Sequence, residues 1–138
     1  MRLDVARQHH PYNNPMSSGV ILFAHGARDA RWAEPFERLR DRVMRAAPGV
    51  QVVLAFLELM APDLDAAATA LSGSGCRAIT VVPVFLGQGG HVRQDLPQLV
   101  EVAASRHPEC AFRLADAAGE DDAVLDAIAA YCLRQLTD

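Results

Sequence analysis

The stretch from Val20 to Asp29, VILFAHGARD, is an apolar run that gives way abruptly to a histidine, a glycine and two charged residues. An apolar run without polar alternation is typical of a strand buried on both faces, as in the centre of a parallel sheet. His25 then stands at the carboxyl end of this strand, the edge at which open α/β sheets bind ligands. Gly26 allows a sharp turn or a close approach of the backbone there. The alternative for His25 is a buried, hydrogen-bonded histidine in a tight turn.

The length of the chain, 138 residues, is that of one domain that can bury its own core. Residues 1–18 show no periodicity and contain His9 and His10, so we expect a flexible N-terminal tail there. The remaining residues, 19–138, are expected to form a single α/β domain.

Composition argues against several classes of protein. A formal net charge of −4 is unlike that of a general nucleic-acid binder. No apolar run approaches the roughly 20 residues of a membrane helix. Cys76, Cys110 and Cys132 show neither metal nor disulfide spacing. We therefore expect a cytoplasmic protein that binds neither nucleic acid nor membrane.

Apolar runs and helical patterns alternate along the whole chain. Strands are predicted at residues 20–24, 50–57, 78–82 and 110–114, and helices at about 31–47, at 62–72, after His91 and near the C-terminus. Pro97 suggests that the third helix becomes regular near Asp95 or is kinked there. Four β-α units in strict alternation predict a flavodoxin-like open parallel sheet of order 2-1-3-4, with helices on both faces.

Three residues of metal-binding types follow three neighbouring strands of this sheet. His25, Glu58 and His91 succeed one another in equal steps of 33 residues; His25 and Glu58 directly follow apolar strand patterns, and His91 follows the third strand after a glycine-rich loop. Two imidazoles and a carboxylate can hold a divalent transition metal and leave coordination positions open. The alternatives are that the histidines are structural, and that Glu58 caps the next helix or pairs with an arginine.

No nucleotide site is predicted. The chain lacks a phosphate-binding loop of the Gly-x-x-x-x-Gly-Lys-Ser/Thr type, and Gly87-Gln-Gly-Gly90 lacks the spacing of a dinucleotide fingerprint. All 13 basic residues are arginines, so planar, bidentate groups are the permanent cations for any anionic ligand.

Three segments carry a resemblance to a known family. FAHGAR at residues 23–28, AFLELM at 55–60 and VPVFLGQGGHVRQDLP at 82–97 resemble the small sirohydrochlorin cobaltochelatases of the CbiX type, within the class II chelatases. The resemblance implies that His25 and His91 bind the metal, and that Glu58 handles the metal or removes protons. Ala27 stands where that family commonly has serine.

This resemblance implies insertion of a divalent metal, with cobalt expected, into sirohydrochlorin during cobalamin biosynthesis, without ATP. Iron insertion for siroheme, nickel insertion, and a non-catalytic metal or tetrapyrrole carrier remain alternatives. A histidine phosphatase would resemble Arg-His-Gly, but Ala24 takes the place of that arginine. Larger relatives look like two such domains fused, so we expect a homodimer.

Seven further residues are expected to contact the tetrapyrrole. Arginines near the histidines can pair with its carboxylates, and the loop before His91 can line the cleft. The expected substrate-binding residues are Arg28, Arg31, Arg93, Phe85, Leu86, Gly89 and Gly90.

Overall fold

A computed structural model of the protein describes residues 18–136. The predicted tail therefore lies outside the described residues, with its His9 and His10, except for Ser18. That serine is already the first residue of a strand.

The sheet has four parallel strands in the order β2-β1-β3-β4, which confirms the predicted topology. The strands are β1 (Ser18–Ala24), β2 (Gln51–Phe56), β3 (Ala78–Pro83) and β4 (Ala111–Leu114). The helices are α1 (Glu34–Ala46), α2 (Leu64–Gly73), α3 (Gly90–Arg106) and α4 (Asp122–Arg134), with short 3-10 turns at Ala30–Ala33 and Ala118–Glu120.

Strand β1 is central because both of its faces are apolar. Ile21 and Phe23 are fully buried on the side covered by α2 and α3. Leu22 and Ala24 are buried on the other side, in a cluster packed against α1. The alternation of side chains along a strand thus gives one core cluster on each face of the sheet.

Two predicted boundaries need correction. Helix α3 begins at Gly90 instead of near Asp95, so His91 lies in its first turn and not in the preceding loop. Pro97 lies inside α3, where it removes one helical hydrogen bond and crowds the preceding turn, so packing of the helix must offset this cost; its neighbour Leu96 is buried at 2% exposure. Helix α2 begins at Leu64, because the Asp63 side chain accepts a hydrogen bond from the Ala66 amide and caps it there.

The helices of residues 18–136 are too short or too polar to cross a membrane.

Candidate active site

The loops after β1 and β2 are joined by backbone hydrogen bonds beyond the ends of the strands. The strand pairing ends with Ala24 opposite Phe56. The Leu57 amide then donates to the carbonyl of Ala24 at 2.9 Å, and the Glu58 amide donates to the carbonyl of His25 at 3.1 Å. Because these bonds continue the sheet, the residues that follow the two strands are held side by side.

Gly26 permits this close approach. Its φ of 99° lies in the left-handed region, which residues with a Cβ rarely adopt. A Cβ built on Gly26 would also overlap the carbonyl oxygen of Glu58. The glycine is therefore required both by its backbone conformation and by the neighbouring loop.

The side chains of His25 and Glu58 form a hydrogen-bonded pair. Nε2 of His25 lies 3.1 Å from Oε2 of Glu58, so the imidazole N–H donates to the carboxylate. The two side chains are 50% and 54% exposed, so His25 is not the buried histidine of the alternative interpretation. Glu58 does not cap α2 either, because Asp63 does so. The pair is thus accessible to a ligand from solvent.

A cavity of about 190 Å³ opens beside His25 at the carboxyl edge of the sheet. The rest of its lining comes from the segment between β3 and α3 and from the first turn of α3: Phe85, Gly87, Gln88, Gly89 and Val92. Phe85 packs edge-on against Phe23 of the core, with ring centroids 6.2 Å apart. The predicted residues Phe85 and Gly89 therefore lie next to His25, and Leu86 is 65% exposed nearby in sequence.

The second 3-10 turn supports this loop in a way that the sequence did not indicate. The Gly119 amide donates to the carbonyl of Phe85 at 2.8 Å, and a Cβ on Gly119 would overlap the carbonyl of Leu86. A lone glycine between Ala118 and Glu120 carries no sequence signal for such a contact, because the partner lies more than 30 residues earlier.

His91 is exposed in the first turn of α3, where Gly89 is the N-cap residue and Gly90 the first helical residue. Residues 18–136 contain no group of three or more His, Cys, Asp or Glu side chains arranged to hold a metal ion. The structure therefore brings His25 and Glu58 together, whereas His91 does not join them as a third ligand.

The three arginines have different surroundings. Arg31 forms a bidentate ion pair with Asp29, with Nη2 2.8 Å from Oδ2 and Nε 3.1 Å from Oδ1. This pairing lowers the pKa of Asp29 and raises the pKa of Arg31. Arg93 lines a separate cavity of about 230 Å³ between α3 and the segment after β4, together with Asp116 and Glu120. Arg28 is exposed three residues after His25.

Comparison with known proteins gives consistent matches. The family model described as CbiX matches residues 19–134. A sirohydrochlorin cobaltochelatase of Methanosarcina barkeri is 31% identical over 84 residues, which are 61% of this chain and 65% of the relative. The chain thus covers less than two thirds of that relative's length.

Solved structures with the same fold include one of similar length and one about twice as long. The structure of a putative cobalamin biosynthesis CbiX protein from Marinobacter aquaeolei has a TM-score of 0.77 at 34% identity, covering 86% of this chain and 97% of that one. The sirohydrochlorin chelatase SirB from Bacillus subtilis subspecies spizizenii, solved in complex with cobalt, has a TM-score of 0.70 at 26% identity. That match covers 88% of this chain but 51% of SirB.

Proposed function

The chain belongs to the CbiX family, and on that premise we propose that it inserts a divalent metal ion into sirohydrochlorin. The observation that carries this proposal is the His25–Glu58 pair, half exposed at the carboxyl edge of the sheet beside a cavity. The name of the Methanosarcina barkeri relative supports cobalt as the metal, and the cobalt complex of SirB supports it as well.

The hydrogen bond between the two side chains suits His25 for binding a metal. It occupies Nε2 as a donor, which leaves the lone pair on Nδ1 free for a metal ion. A carboxylate that accepts the other N–H of a ligating histidine fixes the tautomer and makes the imidazole a better ligand. A single imidazole binds a divalent ion weakly. Weak binding suits an ion that the protein must transfer to the tetrapyrrole. We propose that His91 would complete the coordination when the tetrapyrrole approaches, while Glu58 orients the imidazole of His25 through Nε2.

Metal insertion also needs a base, because the pyrrole nitrogens lose their protons as they bind the ion. Glu58 is the carboxylate in contact with the proposed metal-binding histidine, and its side chain is half exposed to solvent. We propose that Glu58 accepts a pyrrole proton and releases it to water. No nucleotide takes part in these steps.

Arg28 and Arg93 are proposed to bind the carboxylates of sirohydrochlorin, and the chain is proposed to act in the cytoplasm as a homodimer. Half of SirB matches nearly the whole of this chain, so two copies supply the same amount of structure. Arg31 is a weaker candidate than the other two arginines, because Asp29 already occupies its guanidinium group.

Purified protein with sirohydrochlorin and limiting Co²⁺, followed by the change in the absorption spectrum, tests the proposal directly. His25→Ala should lower kcat/KM by roughly 100-fold, because the metal loses its ligand. Glu58→Gln should lower it by about 10- to 100-fold, as is usual for a group that orients a metal-binding histidine. Both variants should keep the melting temperature within a few degrees, because the side chains are half exposed.

Glu101→Gln is the matched control for Glu58→Gln, since Glu101 is an exposed carboxylate on α3 far along the helix from His91. It should leave the rate unchanged. An unchanged rate together with a lowered melting temperature in Glu58→Gln would assign Glu58 a structural role only. Stoichiometric metal transfer without turnover would indicate a carrier.

A further inference from the structure

Leu59 has a backbone conformation that suits glycine better than leucine. Its φ is 67°, and among residues 18–136 it is the one non-glycine residue with a positive φ. A side chain in this left-handed region brings its Cβ close to the following carbonyl oxygen, which costs free energy that glycine or asparagine largely avoids. Because Leu59 directly follows Glu58, a strained residue stands next to the candidate site.

The contacts of its neighbours hold Leu59 in this conformation. The amide of Glu58 is hydrogen-bonded to the loop after β1, and Met60 packs against the core cluster on the side of α1. The Phe56 amide donates to the carbonyl of Pro62 at 2.9 Å and closes the loop behind them. The chain therefore turns between two fixed residues, and Leu59 carries the turn.

The side chain of Leu59 does not join the core. In the same loop, Leu57 packs against the core cluster on the side of α2 and α3, and Met60 packs against the cluster on the side of α1. Leu59 belongs to neither cluster within residues 18–136 and is 56% exposed. A residue that is both strained and exposed adds nothing to stability, and such residues are concentrated at functional sites.

The loop after β3 presents a second leucine in the same way. Val84 packs against the core cluster on the side of α1, and Phe85 packs against the other cluster. Leu86 packs against neither within the described part of the chain and is 65% exposed. Each of the two loops thus keeps one leucine outside the core.

The order of the strands places these two leucines on opposite sides of His25. Strand β1 lies between β2 and β3, and Leu59 and Leu86 each stand three residues beyond the end of their strand. Neighbouring strands are about 4.8 Å apart, so the ends of β2 and β3 are about 10 Å apart, with the end of β1 midway. The polar pair of His25 and Glu58 is therefore flanked by one exposed leucine on each side.

We propose that Leu59 and Leu86 support the apolar face of the tetrapyrrole on the two sides of the metal ion. The inference rests on the proposed function, and it adds Leu59 to the substrate-binding residues. In a metallated tetrapyrrole the four pyrrole rings surround the ion, so a macrocycle centred over an ion on His25 extends over both leucines. Arginines bind any carboxylate, whereas the apolar support selects a molecule that also has a flat apolar face.

Leu59→Asn separates the cost of the backbone conformation from the contribution of the side chain. Asparagine tolerates a left-handed φ, so the melting temperature should rise by about 2 to 5 °C. The variant loses the apolar contact, so the dissociation constant for sirohydrochlorin should rise about three- to tenfold, as expected for one partly buried leucine. Quenching of the fluorescence of Trp32, the single tryptophan, measures this binding without metal. Calorimetry should give an unchanged affinity for Co²⁺.

Leu86→Asn should weaken binding by a similar factor but should not raise the melting temperature, because Leu86 does not have a positive φ. Leu59→Met keeps both the apolar side chain and the strain, so its melting temperature and dissociation constant should stay close to those of the wild type. These two variants show whether the effect on binding follows the apolar side chain and the effect on stability follows the backbone.

Val102→Asn is the matched control for Leu59→Asn. Val102 is 50% exposed, and it lies twelve residues beyond Gly90 on α3, which is about 18 Å along the helix from the carboxyl edge of the sheet. Valine and asparagine have similar helix propensities. The substitution should therefore change neither the melting temperature nor the binding of sirohydrochlorin.

Three results would overturn the inference. Leu59→Asn could bind sirohydrochlorin as tightly as the wild type, or it could melt at a lower temperature, which would assign the side chain to the fold. Normal binding with weaker self-association in sedimentation velocity would assign Leu59 to a contact between copies. Because the binding assay contains no metal, the two proposals fail separately. A wild-type chain that binds sirohydrochlorin through Leu59 but does not insert Co²⁺ would overturn the chelatase function alone.

Discussion

Gly26→Ala is expected to damage both stability and catalysis, because Gly26 joins the two loops of the candidate site. Alanine at φ 99° costs about 1 to 2 kcal/mol relative to glycine. The new Cβ must also move about 1 Å or more away from the Glu58 carbonyl before the two atoms reach ordinary contact. That movement strains the bond from the Glu58 amide to the His25 carbonyl, which adds about 1 kcal/mol.

The combined loss is about 2 to 3 kcal/mol, which lowers the melting temperature of a chain of this size by roughly 10 °C. Since the same movement separates Glu58 from His25, kcat/KM for Co²⁺ insertion should fall at least 10-fold at a temperature where the variant is folded. Gly73→Ala is the matched control, because a Cβ there meets no atom within 4 Å. It should leave both quantities nearly unchanged. A Gly26→Ala variant with normal stability and rate would refute the reasoning, and a destabilised but fully active one would show that the contact serves the fold alone.

Two further predictions concern charged groups. Arg93→Ala should raise KM for sirohydrochlorin by roughly three- to tenfold, as expected for an exposed charge-assisted contact. Arg31→Ala should change KM less, because Asp29 holds that guanidinium group. Steady-state kinetics at low salt measure both values, and equal effects of the two variants would contradict the prediction. Ser72→Ala removes the hydroxyl that donates to Glu109 and thereby holds the pKa of that carboxyl below its usual value. A lowered carboxyl pKa stabilises the fold above the unfolded pKa of about 4.3, and this stability is lost as the pH falls through the folded pKa. Ser72→Ala should therefore lower the melting temperature at pH 7 more than near pH 3, and an equal loss at both values would contradict the assignment.

The sheet could be predicted from the sequence because its signals are local. Continuous apolar runs in β1 and β2 reflect burial on both faces, and the alternation of strands with helical patterns indicates that the strands pair in parallel. The placement of His25 and Glu58 at one edge follows from the same pattern, since parallel strands end at the same side of a sheet.

Contacts between loops could not be predicted, because they depend on register beyond the ends of the strands. The hydrogen bond from His25 to Glu58 requires Gly26 to approach the Glu58 backbone, and nothing in either segment alone specifies that approach. The same applies to Gly119 and Phe85. The start of α3 at Gly90 was missed because glycines and Pro97 are poor helix formers in isolation, whereas packing of Leu96 and Val100 overrides that preference.

The last helix, α4, shows a second limit of prediction from sequence. Its apolar stripe at Leu125, Ile128 and Cys132 predicts a helix, and α4 is one. The spacing carries no information on which surface the stripe meets, and within residues 18–136 no side chain of α4 is buried.

The two sides of the cavity beside His25 differ in rigidity. On one side, main-chain bonds from Leu57 and Glu58 fasten the loops of β1 and β2 to each other, so their amides should exchange with solvent as slowly as those of the sheet itself. On the other side, Gly87, Gly89 and Gly90 have no neighbours where a side chain would be. His25 and Glu58 therefore lose conformational entropy when the chain folds, before any ligand binds. The segment that leads to His91 keeps the freedom to adjust its shape to a large, flat molecule.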